Sequence, residues 1–201
     1  MVLTHPEYRK RGYARRLVEA ALATARAREI GCVKLDATDQ GEALYRSLGF
    51  EAEQSVERWR RDPTPLTLPD GRGSVSRFRA ARVSKRHFAF GADRSRFLRE
   101  LGSPAALPGA FAFDRPGIRA RYFGPCVARD PEAAEQLARH LIAARPQEPW
   151  FWDLLPANDH ARRIAEALGF RPVRRLIRMW LGDNVRGDDS LVYAIAGFEA
   201  G

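Results

Sequence analysis

The sequence predicts an α/β fold in which mixed sheets are flanked by helices, with one partial unit followed by a second, divergent and complete unit. Two observations predict this fold. Strand-like and helix-like hydrophobic patterns follow one another along most of the 201 residues. In addition, Leu48-Gly49-Phe50 recurs as Leu168-Gly169-Phe170, and each copy lies where a helical pattern gives way to a strand pattern.

The first predicted unit spans residues 1–61. Val2-Leu3 reads as the end of a strand, followed by a loop. From Gly12 to about Glu29, apolar residues recur at helical spacing, and Gly31 ends this helix. The remaining elements are a strand over residues 32–37, a short helix over residues 40–48 with Gly49 at its C-cap, and a strand from Phe50 through Trp59.

Residues 62–74 contain three prolines and two glycines, which predicts a linker. The second unit then spans residues 75–201. Asp130 as N-cap and Pro131 at the first helical position introduce its longest helix. Its predicted elements are a strand entering a helix over 75–83, a helix over 94–101, a hairpin over 110–123, a helix over 132–144, a strand over 150–155, a helix over 158–168, and strands over 173–181 and 191–196.

The two units match at a fixed offset of 120 residues, which carries Arg58 onto Arg178, while Asp36 in the first unit answers Asp153 in the second. By this comparison the first unit lacks about half of its elements, so its sheet is expected to have an open edge. We expect one of three causes: a start upstream of Met1, a naturally shortened gene, or another element that covers the edge. An open edge also makes a homo-oligomer a candidate assembly.

The formal charge is +9 and the pI is about 10.3, which raises the question of a polyanionic partner. Nearly all the positive charge is arginine, scattered along the chain, and no nucleic-acid-binding motif accompanies it. We therefore attribute the charge to a GC-rich genome and do not expect a nucleic-acid partner. No apolar run approaches the length that spans a bilayer, so no membrane partner is expected. Cys32 and Cys126 show no disulfide or metal spacing, which favours a reduced, cytoplasmic compartment.

The motif with the clearest chemistry is Arg9-x-x-Gly12-x-Ala14, between a strand and a helix. Glycine lets a ligand approach the backbone closely, and a helix N-terminus offers unpaired N–H groups and the positive end of a dipole. Together these features predict a phosphate cradle. Lys10, Arg11 and Arg15 add positive charge. The alternative is a plain turn that leads into a basic helix.

Residues 2–14, together with Leu44-Tyr45 and Leu48-Gly49-Phe50, resemble the GNAT N-acetyltransferase superfamily. The wider pattern resembles a tandem, two-unit GNAT subgroup, and the fold is then GNAT-like. The resemblance implies acetyl transfer from acetyl-CoA, as a co-substrate and without a metal, to a small-molecule or peptide amine. It implies cofactor contacts from Val2, Leu3, Thr4, Arg9, Lys10, Arg11, Gly12, Tyr13 and Ala14: the pantetheine along residues 2–4 and the pyrophosphate on the amides of residues 11–14.

The resemblance also implies that Tyr45 is the catalytic general acid that protonates the departing thiolate. The alternative is a tyrosine that only packs on its helix. The offset of 120 places Ala165 at the matching position of the second unit, so only the first unit carries a tyrosine there. The second unit's phosphate position reads Ala128-Arg129-Asp130-Pro131-Glu132, which lacks glycine and is acidic. We therefore predict that the second unit does not bind CoA.

The general base is not determined by the sequence. His5 and Glu7 are candidates by proximity to the loop, and a loop role is the alternative for both. Asp36 could face the acceptor amine or make a structural hydrogen bond. The prediction is an N-acetyltransferase; the alternative is a non-catalytic remnant that binds CoA or a protein partner without turnover.

Overall fold

The computed structural model describes residues 2–66, 75–77 and 87–198 of the chain. Within these ranges the helices are α1 (Tyr13–Ala27), α2 (Asp39–Arg46), α3 (His87–Phe90), α4 (Ser95–Glu100), α5 (Pro131–Ala143) and α6 (Asp159–Ala167). The strands are β1 (Cys32–Ala37), β2 (Glu51–Arg61), β3 (Ser76–Arg77), β4 (Ala105–Leu107), β5 (Ala110–Arg115), β6 (Arg121–Val127), β7 (Trp150–Leu154), β8 (Arg171–Gly182) and β9 (Val192–Ala194).

Local signals explain where the helices begin and end. The Asp130 carboxylate accepts a hydrogen bond from the Ala133 N–H at 2.8 Å and caps α5, as the sequence predicts. At the repeated segments, Gly49 and Gly169 adopt φ values of +90° and +84°. Such a left-handed residue ends a helix, and glycine adopts it without steric cost. The predicted helices and strands of residues 87–198 are present with small shifts of their ends. Of the elements predicted over 75–83, only 75–77 are described, and β3 lies there; the rest falls outside the described residues.

All the described strands belong to one mixed sheet, so the two predicted units share a single sheet. The strand order is β1-β8-β2-β7-β6-β5-β4-β3, and β9 pairs with β6. Among the described strand pairs, only β6 and β7 run parallel. The predicted α/β fold with a mixed sheet and flanking helices is confirmed. β1 and β3 lie at the two ends of this order, and the expectation that the first unit lacks about half of its elements stays a prediction.

The central strands are exchanged between the two predicted units. β2 follows the first unit's helices in sequence, yet it lies between β7 and β8 of the second unit. Reciprocally, β8 ends the second unit's repeat but lies between β1 and β2. β2 and β8 also pair with each other along most of their lengths. The division of the chain at residues 62–74 stays a prediction about sequence segments, because the strands on either side of it interleave.

Two buried ion pairs join the exchanged strands. The Arg178 guanidinium on β8 donates to both carboxylate oxygens of Asp36 on β1, at 2.9 and 3.0 Å. The Arg58 guanidinium on β2 donates to both carboxylate oxygens of Asp153 on β7, at 2.7 and 2.6 Å. Each aspartate side chain is only 1% exposed. The residues that match in the repeat therefore pair across the two units, aspartate of one with arginine of the other.

The two faces of the sheet are covered differently. Successive side chains of a strand point to opposite faces. On one face, apolar residues of β1 and β8 pack under α1, and Trp150 and Trp152 of β7 lie in a cluster with residues of α5 and α6. Both ion pairs lie on the other face, where α3 and α4 contribute Ala89 and Leu98 to a smaller apolar cluster. α2 contributes Tyr45 to the cluster under α1, so the four longest described helices share one face of the sheet.

Candidate functional site

The loop before α1 is formed by residues 5–12, and its side chains are exposed. A single 3-10 turn, Pro6–Tyr8, is followed by Lys10 with a φ of +60° and by Gly12 with a φ of +76°. Gly12 is the N-cap of α1. Two left-handed residues close together turn the chain sharply, so that the loop leads directly into the first turn of the helix.

The first turn of α1 has the features of a phosphate cradle. Among the residues that the structure describes, no side chain caps its N–H groups, and a Cβ atom built on Gly12 would meet nothing within 4 Å. The backbone there is therefore open to a ligand, and the helix dipole adds partial positive charge. In the described part of the chain, Arg9, Lys10 and Arg11 lie within ion-pair distance of no carboxylate. Instead, Arg9 donates to the Thr4 carbonyl at 3.4 Å, and Arg11 lies 5.3 Å from the Tyr8 ring centre.

The prediction of a strand end at Val2-Leu3 is wrong. Residues 2–4 carry no strand, and the side chain of Leu3 is 76% exposed. The physical reason is that a strand needs a hydrogen-bonded neighbour, and no described residue supplies one to residues 2–4. Whether Val2, Leu3 and Thr4 contact a pantetheine stays a prediction.

Tyr45 lies in the last turn of α2 with its ring half-buried. The ring meets Phe50 edge-on, with ring centres 5.8 Å apart. A Cβ atom built on Gly41 would lie 3.2 Å from the tyrosine ring, so the glycine leaves room for it one turn earlier. Burial raises the pKa of the Tyr45 hydroxyl above its ordinary value. The hydroxyl therefore carries its proton at neutral pH.

A hydrogen-bond chain that the sequence analysis did not anticipate joins α1 to α2. Arg15, in the first turn of α1, donates to the Ser47 hydroxyl at 2.6 Å. That hydroxyl donates in turn to the Leu44 carbonyl at 2.6 Å. The chain thus ties the helix that begins at Gly12 to the last turn of the helix that carries Tyr45. The sequence indicates only the positive charge of Arg15, and a serine at a helix end gives no signal of a distant partner.

The remaining sequence candidates lie in two places. His5 and Glu7 are exposed in the loop, with 3.8 Å between the His5 Nδ1 and a Glu7 carboxylate oxygen. No described contact aims either of them at Tyr45. Asp36 is held by Arg178, so the structure shows the structural hydrogen bond that was one of its two predicted roles.

In the second unit, β9 lies between the ends of β6 and β7, which by the repeat correspond to residues 2–4 and to β1 of the first unit. β6 and β7 pair only from Arg121↔Trp150 to Phe123↔Trp152. Beyond that point β9 joins them: it pairs with Cys126 and Val127 of β6, and the Ile195 N–H donates to the Asp153 carbonyl at 2.9 Å.

The segment formed by β9 and Ile195 lies very close to β6. A Cβ atom built on Gly124 would lie 2.5 Å from the Ile195 carbonyl oxygen, so only glycine permits the approach. Asp130 also caps α5 at the matching phosphate position. Both observations support the prediction that the second unit does not bind CoA.

Comparison with protein families gives two matches. Residues 1–52 match a family model described as an acetyltransferase (GNAT) domain, and residues 85–194, more than half of the chain, match a second model with the same description. A search of curated proteins finds no match.

Comparison with solved structures gives the same family of folds. A proposed acetyltransferase from Pyrococcus horikoshii superposes with a TM-score of 0.82 at 23% identity, over 97% of this chain and 68% of that one. A GCN5-related N-acetyltransferase from Sphaerobacter thermophilus gives 0.60 at 14%, over 91% and 71%. A tandem GNAT protein from the clavulanic acid biosynthesis pathway gives 0.58 at 16%, over 90% and 73%. At these identities the likeness concerns the fold.

None of the helices in the described ranges is long and apolar enough to cross a membrane.

Proposed function

Because the chain belongs to the GNAT acetyltransferase family, we propose that it transfers an acetyl group from acetyl-CoA to the amine of a small molecule or a peptide. The observation that carries the proposal is the open N-terminus of α1. Its first turn has no side-chain cap, its N-cap is a left-handed glycine with free space beside it, and three cations without carboxylate partners precede it in the described chain.

The residues of the loop have separate roles in this proposal. The amides of residues 11–14 bind the pyrophosphate of acetyl-CoA, and Gly12 provides the space for it. Arg9, Lys10 and Arg11 supply the positive charge, while Tyr13 and Ala14 begin the helix. Val2, Leu3 and Thr4 would face the pantetheine. The exposure of the loop leaves these groups accessible to a ligand from solution.

Tyr45 acts as the general acid in this proposal. When the acceptor amine attacks the thioester carbonyl carbon, the carbon–sulfur bond breaks and the sulfur needs a proton. The Tyr45 hydroxyl donates this proton and becomes a phenolate. The amine nitrogen loses its proton to solvent, and solvent then protonates the phenolate again. Two observations support this role: burial raises the pKa of Tyr45, which keeps the donor protonated, and the link from Arg15 to Ser47 holds α2 against α1.

We expect Tyr45→Phe to lower kcat by about 10²- to 10⁴-fold, the usual contribution of a positioned acid. The affinity for acetyl-CoA should change little, because the ring and its contact with Phe50 remain. The measurement is thiol release with a panel of amines, together with calorimetric titration of acetyl-CoA.

Tyr122→Phe is the matched control, since Tyr122 lies on β6 in the other unit. It should leave kcat within about twofold of the parent value. Equal rates for Tyr45→Phe and the parent chain would remove Tyr45 from the mechanism, whatever the affinity for acetyl-CoA.

A second candidate function, binding of CoA without turnover, is favoured by one observation. Residues 2–4 form no strand. In the described chain, no strand therefore lies beside β1, on the side away from β8, to align a pantetheine. This alternative expects heat on titration with CoA but no thiol release with any amine of the panel. Release of CoA with an acetylated amine would reject it.

A further inference from the structure

A cavity of about 430 Å³ lies where β2 ends, α6 ends and β8 begins. The part of β8 that lines it, at Arg171 and Val173, precedes residues 177–182, which pair with β1. The cluster under α1 contains residues of that later part of β8. The polar side chains that line it, among the residues described, are Arg60, Arg61, Asp62, Thr64 and Arg171. Three arginines and one aspartate make this lining strongly basic.

The charges within the cavity do not cancel. Arg60 and Asp62 form an ion pair with a shortest separation of 2.7 Å, which neutralises both. Arg61 and Arg171 lie within 4 Å of no carboxylate in the described chain. Arg61 is only 4% exposed, and its guanidinium donates to the carbonyls of Leu168 and Thr64 at 2.8 and 2.6 Å.

The end of α6 cannot neutralise these two cations. Arg61 donates to Leu168, the C-cap of α6, and Arg171 donates to the neighbouring Phe170 carbonyl at 2.7 Å. A helix C-terminus is equivalent to about half a negative elementary charge, whereas the two guanidiniums carry two positive charges. Burial lowers the pKa of Arg61, but a guanidinium stays charged at neutral pH. Of the two cations only Arg61 is buried, and a buried cation is costly unless an anion accompanies it.

The repeat provides an internal comparison for Arg61. The offset of 120 residues places Leu181 at its matching position, and the structure agrees with this match. A Cβ built on Gly169 lies 3.9 Å from Arg61 Nε, and one built on Gly49 lies 3.4 Å from Leu181 Cδ1. The equivalent helix end at Gly49 is thus covered by leucine and needs no arginine. Capping alone therefore does not account for a buried cation at position 61.

The other described residues of the lining are apolar and include Leu66 and Val173, the latter 54% exposed. The volume lies within the range of sites for small ligands, about 300–1,000 Å³. We infer that this cavity binds a ligand with a carboxylate or phosphate group on an apolar body, and that Arg61 and Arg171 bind the anionic group. This inference does not depend on the proposed acetyl transfer.

The test is thermal unfolding of the full chain at constant ionic strength, with sodium octanoate, inorganic phosphate or octanol as probes. Octanoate should raise the midpoint in proportion to occupancy, and octanol, which lacks the charge, should not. A response to inorganic phosphate without one to octanoate would show that no apolar body is recognised and would overturn the inference. Arg61→Leu, which copies the other unit's residue, should weaken octanoate binding at least about tenfold, as expected for a lost charged hydrogen bond.

Arg171→Ala provides a second variant, because Arg171 is exposed and its removal leaves the core intact. It should also weaken binding of the anionic probe. Gly12→Asp should bind octanoate like the parent chain, so that failure at the acetyl-CoA loop and failure at this cavity are distinguishable. The inference is overturned if neither anion raises the midpoint, if octanol acts as strongly as octanoate, or if both arginine variants respond like the parent chain.

Discussion

Asp36→Asn should lower the free energy of unfolding by about 3–5 kcal/mol, which is the cost of breaking a buried ion pair from one side. The substitution preserves the shape of the side chain but leaves the Arg178 guanidinium without its carboxylate. Arg178 is itself 9% exposed, and solvent cannot replace the lost partner. Arg94 is a second cation that interacts with Asp36 and Arg178. Burial is the main cause of the lowered pKa of Arg94, and the positive charge of Arg178 lowers this pKa further. The negative charge of Asp36 raises it. Without Asp36, two cations would repel each other there.

The measurement is chemical denaturation followed by circular dichroism. Asp159→Asn is the matched control, since Asp159 pairs with Arg162 at 2.9 Å but the two side chains are 61% and 44% exposed. An exposed pair contributes little, so this variant should lose less than about 1 kcal/mol. Equal losses in the two variants would show that the pair between β1 and β8 does not stabilise the exchanged strands.

Gly12→Asp should lower the affinity for acetyl-CoA by at least about 100-fold. The new carboxylate would lie where the pyrophosphate is proposed to bind, and like charges about 4 Å apart near a protein surface repel by about 4 kcal/mol. Each tenfold change in affinity corresponds to about 1.4 kcal/mol, so repulsion alone is sufficient. The side chain itself has space, because a Cβ at Gly12 meets nothing within 4 Å.

Gly102→Asp controls for the backbone. Gly102 has a φ of +93° and equally open surroundings, but it follows α4 in the other unit. Both variants therefore carry the same added charge and a similar left-handed strain. Only Gly12→Asp should lose acetyl-CoA. If both bind like the parent chain, the phosphate cradle at α1 is not used.

Local patterns in the sequence predict the elements because their causes are local. Asp130 before Pro131 begins α5, and glycine after Leu48 and Leu168 ends two helices, each through contacts within a few residues. The candidate cradle at Gly12 was predictable for the same reason, since a helix N-terminus needs only the adjacent loop.

The arrangement of the strands was not predictable from the same patterns. The sequence of β2 contains few apolar residues, and nothing in it shows which strands lie beside it. The exchange depends on contacts between distant segments, such as that of Arg58 with Asp153, which are 95 residues apart. Likewise, nothing in the sequence of β9 indicates that it occupies the region between β6 and β7. At residues 2–4 the sequence predicts a strand that the structure does not contain, because a segment of strand-like composition forms no strand without a hydrogen-bonded neighbour.

Calorimetric titration of the full chain with acetyl-CoA tests the central claim most directly, namely that the first turn of α1 is the one CoA-binding loop of the chain. We predict heat that saturates at one acetyl-CoA per chain and disappears in Gly12→Asp, because β9 and Asp130 occupy the matching region of the second unit. Absence of heat, saturation at two molecules per chain, or binding that survives Gly12→Asp would contradict it.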